Sequence, residues 1–343
     1  MIIRLLLLIM LPCFLQAQQQ LRIRIASDPA AHTVTVTAGG KPFTTFIYPD
    51  SLEKPVLYPI YAPDGQLVTR GFPLKPRSGE PVDHPHHFGL WFNYENVNGL
   101  DFWNNSYAIP ADKKAQYGWI RTDSVSADGP NLQYTAHWIN QQKKPLLLER
   151  TTFHFIANAN ERIIDRFTTL TALADSGVSF PDAKDGMLGL RVTRELQIPS
   201  NTPGEFIDDK GNITKVAAGN SPDINGNYLT SEGKTGDSAW GTRGSWCMLY
   251  GQKQQDTLCI VLIDHPANPG YPTYWHARGY GLFAANPLGQ KIFSNGRQTM
   301  NYRLSRGQSV TFRYRIVVAA GNRSLPTDRI RQLADSFAKI QSE

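Results

Sequence analysis

The chain has 343 residues, with 35 Lys and Arg against 29 Asp and Glu, so its formal charge is +6. That charge is dispersed, with no Lys/Arg run, which argues against nucleic acid as a partner despite a basic pI. Beyond the first residues no apolar run is long enough for a membrane helix, so an integral membrane segment is not expected.

Met1 to Ala17 carries Arg4, an apolar run from Leu5 to Leu15, and Gln16-Ala17, the pattern of a secretory signal peptide too short to span a bilayer. Cleavage after Ala17 is expected, leaving residues 18–343 with a charge of +5 in the periplasm or secreted. Cys13 follows Pro12, not the small residue that a lipoprotein site needs, so a lipid anchor is disfavoured. The mature chain shows no internal repeat and no sharp boundary, and it reads as one β-sandwich domain.

Strand follows strand. Leu21 to Ala26, His32 to Thr37 and Lys41 to Tyr48 alternate apolar and polar residues, with Gly39-Gly40 as a turn. Pro55 to Arg70 is rich in proline, which speaks against a central strand, and Asp64-Gly65 marks another turn.

Glu80 to Asn105 concentrates three of the eight histidines, His84, His86 and His87, with Asp83, Asp101, Trp91 and Trp103. At period two, His84, His86, Phe88, Leu90 and Phe92 share one strand face, and Asp83, His87, Gly89, Trp91 and Asn93 share the other. Asn98-Gly99 reads as a tight turn returning Leu100 to Trp103 alongside, a hairpin with histidine, carboxylate and indole at its mouth. A plain β-hairpin with surface histidines is the bland alternative.

Trp119 to Arg121, Gln133 to Ile139, Leu146 to Phe155, Glu161 to Leu173 and Gly189 to Gln197 continue the alternation. Phe180 to Arg194 carries turn charges Asp182, Lys184 and Asp185 ahead of Arg191, which alternates with residues that look buried. Asn201 to Thr242, rich in Gly, Asn, Asp and Ser, reads as a long loop region suited to covering a site. Trp246 to Tyr250 and Thr257 to Asp264 suggest a hairpin bearing Cys247 and Cys259, as a cross-strand disulfide or as two buried thiols.

Asp264 to Gly289 opens with Asp264 and His265, and Pro266, Pro269 and Pro272 predict an irregular loop carrying Tyr271, Tyr274, Trp275, His276 and Arg278. Aromatic rings beside His, Asp and Arg suit a sugar: rings stack on its C–H faces and charges bind its hydroxyls. A proline-rich crossover whose aromatics only cover the sheet is the structural alternative. Arg303 and Val310 to Ala319 close the strands. Pro326 to Gln341 reads as a helix with Ile330, Leu333, Phe337 and Ile340 on one face and Thr327 as N-cap. The predicted fold is all-β: stacked antiparallel sheets with a C-terminal helix.

The runs YPIYAPDGQLVTRGFP, DHPHHFGLWFNYENVNGLDFW, DGMLGLRV and DHPANPGYPTYWHARGYGLFAANPLG resemble the PmoA-like family, also called DUF6807, over roughly Pro55 to Ala319. The name suggests a methane oxygenase subunit, an intramembrane protein, which conflicts with the missing membrane helix. The resemblance implies a large β-supersandwich similar to galactose mutarotase and an exported protein of carbohydrate-degrading bacteria. It brings no catalytic residues.

The favoured function is an exported glycoside hydrolase or lyase, less readily an epimerase, using His/Asp acid–base chemistry. Histidine titrates near neutrality, so His86 or His87 is the expected acid. No Glu lies between Glu232 and Glu343, which leaves Asp264 as carboxylate of the late cluster, with Glu80, Asp83 or Asp101 as early alternatives. Arg70, Arg191 and Arg278 are expected to bind substrate oxygens, with His84, Asp101, Trp103, His265, Trp275 and His276 lining the site. A sugar-binding module without chemistry is one alternative. Another is Zn²⁺ or Cu²⁺ held by His84, His86 and a distant His276. No cofactor is expected. The two clusters, some 160 residues apart, are predicted to line one cavity with Arg191 between them.

Overall fold

The computed structural model describes residues 19–216 and 223–340. The signal segment and its cleavage point therefore lie outside the described residues. The chain forms two antiparallel eight-stranded sheets stacked face to face. Across the first sheet the strands run Ile23–Asp28, Thr33–Ala38, Lys41–Ile47, Val56–Ile60, Leu90–Tyr94, Gly186–Arg191, Leu282–Asn286 and Tyr274–Arg278. The second runs Asn227–Thr230, Trp246–Lys253, Asp256–Asp264, Ser309–Gly321, Glu161–Ala172, Pro145–Ala157, Asn131–Ile139 and Trp119–Asp128.

The period-two residues explain the stacking. In Asn131–Ile139 the buried positions Leu132, Tyr134, Ala136 and Trp138 alternate with more exposed ones. They meet Phe46, Leu90, Phe92, Leu188 and Leu190 of the first sheet in one continuous core. Several strands break the alternation, among them Leu90–Tyr94, Gly186–Arg191, Leu282–Asn286 and Tyr274–Arg278 in the first sheet, which are buried on nearly every residue. A strand apolar on both faces needs a cover on each. Here the outer cover is a second cluster of Val56, Tyr58, Phe88, Trp91, Trp103, Leu282 and Ala284, seated under loops that carry the histidines.

Behind the second sheet lies the helix Thr327–Ala338, which buries Ile330, Leu333 and Phe337 against Trp246, Met248, Val261 and Val317. Its N-cap is Pro326 rather than Thr327, and no side chain caps it. Cys247 and Cys259 do lie on paired strands, but on opposite faces, one in each core cluster, and both are free thiols.

Val56–Ile60 lies inside the first sheet despite Pro55 and Pro59. The ladder gives way to admit it: only Leu57 pairs with Leu90, and the pairing with Lys41–Ile47 shifts register. Tyr274–Arg278 and Leu282–Asn286 form a regular hairpin where an irregular loop is expected, since the three prolines all precede Tyr274. Leu90–Tyr94 and 100–103 form no hairpin. Val97 and Leu100 close a tight turn, and Phe102 returns to Tyr94 through a single backbone hydrogen bond.

Candidate functional site

Strand register brings polar groups together on the outer face of the first sheet. Trp91 pairs with Gly189, Gly189 with Ala284 and Ala284 with His276, so these four form one row. Two residues along, Arg191, Leu282 and Arg278 form the next. Gly189 is glycine because a Cβ there would stand 2.5 Å from Trp91 and 2.8 Å from Trp103. The two indoles, 5.0 Å apart, floor the site.

Above that floor the chain is irregular from residue 80 to 89, wound about one guanidinium. Arg70 is wholly buried and donates to the carbonyls of Pro81 (3.2 Å), Asp83 (2.8 Å), His84 (3.0 Å) and His87 (2.9 Å). The wrap forces His84 to φ 47°, a left-handed conformation rare outside glycine. Extended period-two geometry is thereby lost, and the predicted sharing of a face by His84 and His86 goes with it.

The Asp83 carboxylate is the junction. Its Oδ1 accepts from Arg70 and Arg191, each at 2.6 Å, and its Oδ2 lies 2.5 Å from His84 Nδ1. Burial pushes this carboxyl up, but His84, Arg191 and Arg70 outweigh burial and hold it below the usual carboxylate range. A carboxylate on Nδ1 fixes the His84 tautomer and leaves Nε2 as the free proton acceptor. The His84 side chain is 40% exposed, and its ring lies parallel to Tyr280 (4.8 Å) and to His87 (4.9 Å).

His86 and His87 differ in kind from His84. His87 is buried, stacks on Trp91 and accepts a hydrogen bond from Trp103 Nε1 at 3.2 Å. Burial first, then the surrounding cations and histidines, pushes His87 well below its ordinary value and lowers His86 to about 2. Both shifts favour the neutral imidazole, which works against the role of acid expected of either. Lys54 contributes to that field. It is buried over Phe88 and Trp91, donates to the carbonyls of His86 (2.7 Å) and Trp103 (3.4 Å), and burial lowers it to about 7.

The second half of the site comes from the hairpin. Tyr280 stands at its turn, with its ring over the Arg191 guanidinium at 4.8 Å. Burial raises its hydroxyl to about 12, with Arg191, Arg278, Asp185 and Asp83 all acting on it. Arg278 lies between Tyr280 (5.7 Å) and the partly exposed Trp240 (5.6 Å). Buried His276 has Nδ1 3.3 Å from Asp185 Oδ1, a close contact without hydrogen-bond alignment. Burial raises Asp185 to about 6 and lowers His276 to about 3.

A cleft of about 420 Å³ opens beside these groups, lined by Asp83, Arg191, Gln197, Phe206, Asp237 and Tyr280 among others. That is within the size range of small-molecule sites. One wall is Gly204, Glu205 and Phe206 of the strand Gly204–Ile207, which pairs with Ile213–Val216 and is anchored to residues 79–82 by three backbone hydrogen bonds. Two larger depressions, of about 910 and 960 Å³, lie elsewhere. Their charges are largely matched, Arg329 with Glu161, Arg77 with Glu80 and Lys253 with Glu195, and none of the clustered histidines lines them.

The structure thus brings Asp83, His84, His86, His87, Arg70 and Arg191 together, with Arg278 joined to them through Tyr280 and His276 in the strand row of Trp91, against Asp185. Other expected site residues fall outside. Asp264 ends a strand of the second sheet, accepts from Asn268 Nδ2 (2.7 Å) and the Thr273 backbone (2.8 Å), and anchors the loop that crosses between sheets. His265 packs edge-on against Phe337 of the helix. Trp275 points into the core between the sheets. Asp101 caps its own loop by accepting from Asn104 (2.9 Å). Trp103 stays with the site as part of its floor, but it is fully buried and its indole N–H is spent on His87. Glu80 is held by Arg77 and the Gly71 backbone. Among the described residues no group of three or more His, Cys, Asp or Glu is arranged to hold a metal ion. Tyr280, Lys54, Gln197 and Trp240 are additions. Only Tyr280 had a signal, the Gly-Tyr-Gly of a hairpin turn.

A family profile described as "Family of unknown function (DUF6807)" matches residues 33–335, a description without the PmoA-like label. No curated protein matches. Among solved structures, the galactosidase domain of the α-galactosidase–sucrose kinase AgaSK aligns at 11% identity and TM-score 0.41, over 87% of this chain and 42% of that one. The GH36 α-galactosidase AgaB from Geobacillus stearothermophilus aligns at 9% identity and TM-score 0.39, over 88% and 41%. A galactose mutarotase related enzyme from Lactobacillus acidophilus aligns at 8% identity and TM-score 0.36, over 89% and 99%. The chain spans about two fifths of the α-galactosidase chains it matches. Likeness at this level carries no functional argument. No helix among the described residues is long and apolar enough to cross a membrane.

Proposed function

The chain belongs to the DUF6807 family of unknown function, and from that premise we propose that it is an exported carbohydrate-active enzyme in which the Asp83–His84 pair moves a proton on a bound sugar. The observation that carries this reading is the placement of His84: one ring nitrogen on the Asp83 carboxylate, which two buried arginines fix and which lines a cleft of about 420 Å³, and a ring stacked on Tyr280 of the same lining. A carboxylate so held orients the imidazole and stabilises the imidazolium formed when Nε2 takes a proton. Asp185, which burial raises to about 6, adds a carboxyl group able to exchange a proton near neutrality. Tyr280, Arg278 and the partly exposed Trp240 offer a ring platform with a cation, suited to the C–H face and hydroxyls of a sugar.

The test is a screen of the purified chain against glycosides and polysaccharides, reading reducing ends, unsaturated products and anomeric exchange. On whichever substrate turns over, His84→Ala is expected to lower kcat by about a hundredfold or more, the scale of an acid–base group. A His84→Ala variant with full turnover sinks the mechanism. The exposed Trp240 also favours a second reading, a sugar-binding protein without chemistry. In that case His84→Ala leaves sugar affinity unchanged, Trp240→Ala weakens it, and no substrate turns over.

A further inference from the structure

Arg191 and Gln197 line the same cleft, and both keep buried N–H donors with no acceptor in the protein: Arg191 Nε and Nη1, and Gln197 Nε2. Arg191 is completely buried and Gln197 is 9% exposed. Arg191 spends Nη2 on Asp83, and the Tyr280 ring covers one face of its guanidinium without supplying an acceptor in the guanidinium plane. A buried donor left unmatched costs free energy, more when it is charged. Charge points the same way. Arg70 and Arg191 share the single carboxylate of Asp83, because nearby Glu80 is taken by Arg77. Arg70, Arg191 and Asp83 therefore carry one net positive charge among them, Asp83 being the one carboxylate paired with either guanidinium among the described residues. Of the other carboxylates bordering the cleft, Asp237 lies beside Gly279, and Glu205 faces Lys215 at 3.8 Å. Burial is the main cause that lowers His86 and His87, and Arg191 and Arg70 act on both in the same direction.

We infer that the cleft takes an acidic sugar, with an oxyanion substituent received by Arg191 and Gln197. This rests on the carbohydrate reading above and narrows it to a substrate class. A carboxylate can accept a charge-assisted hydrogen bond from a free N–H of Arg191, stronger than a neutral hydroxyl makes, and a second from Gln197 Nε2. A sulfate ester offers the same oxyanion chemistry, so the probes must separate the two.

Isothermal titration of the full chain with galacturonate, galactose 6-sulfate, galactose and acetate tests this. Galacturonate is expected to bind at least about tenfold tighter than galactose at low salt, the worth of one charge-assisted hydrogen bond, and galactose 6-sulfate more weakly than galacturonate. Gln197→Leu removes a donor with no protein partner. It is expected to lower galacturonate affinity several-fold, leave galactose affinity unchanged and not lower the melting temperature. Arg191→Gln should abolish the preference, but it also frees one arm of Asp83, so Gln197→Leu decides if that variant fails to fold. Equal affinity for galactose and galacturonate overturns this inference and leaves the sugar cleft standing. Acetate binding as tightly as galacturonate supports the anion site and removes the sugar. Binding by none of the anionic probes, or an unchanged preference in Gln197→Leu, overturns it.

Discussion

Two buried arginine–carboxylate clusters lie on opposite faces of the first sheet. Between the sheets, Arg166 meets Glu149 at 2.9 Å, and Glu149 also accepts from Tyr134 (2.5 Å), Thr151 (2.7 Å) and Trp138 Nε1 (2.7 Å). The guanidinium also donates to Thr168 and is packed against Phe92 and Phe153. On the outer face, Arg70 and Arg191 meet Asp83, which is 34% exposed as a side chain, and Arg191 keeps unspent donors. Burial and charge are common to both clusters, so neither property marks function. The inner cluster closes on itself, whereas the outer one ends in solvent and in unmatched groups. A buried ion pair is weak evidence for stability or activity until its remaining hydrogen bonds have been traced.

The sharpest way to break this comparison is to remove one carboxylate from each cluster. Glu149→Ala strands a buried guanidinium and is expected to cost about 3–5 kcal/mol in urea unfolding. Asp83→Asn keeps an acceptor at a partly exposed position and should cost less than Glu149→Ala, while abolishing most turnover. Equal stability losses would erase the distinction between a closed and an open cluster.

Gly189→Ala probes the floor of the outer site. The added methyl meets both indoles, and overpacking of this kind costs about 1–3 kcal/mol. Because Trp103 holds His87, a shift in the pH profile of activity should accompany the loss. A stability change within error would mean that the indoles yield freely.

The smallest effect concerns Asp264, the carboxyl that the sequence nominates and the fold places elsewhere. Burial raises it to about 7, so the folded state holds its proton more tightly than the unfolded chain does. Its contribution to stability is therefore full below the ordinary carboxyl range and lost as pH rises through about 7. The stability difference between the wild type and Asp264→Asn should decline over that window, with turnover unchanged. A large drop in turnover in Asp264→Asn would return Asp264 to the chemistry.

Period-two alternation was enough to assign stacked antiparallel sheets, because each strand's buried side chains are written in its own residues. The apolar stripe Ile330, Leu333 and Phe337 defined the closing helix in the same local way. Which groups converge on the outer face was not local. Arg70 folds the histidine segment through carbonyls of Pro81, Asp83, His84 and His87, and carbonyls leave no trace in the side-chain pattern. The same limit misdirected Asp264. Only residues 265–273 separate it from Tyr274–Arg278, yet that loop crosses from one sheet to the other and leaves the two strands in different layers. Residue type and spacing showed where histidine, arginine and carboxylate are concentrated. Their pairing, protonation and opening onto a cleft were decided by strand register and by burial, both of which depend on chain segments far apart in sequence.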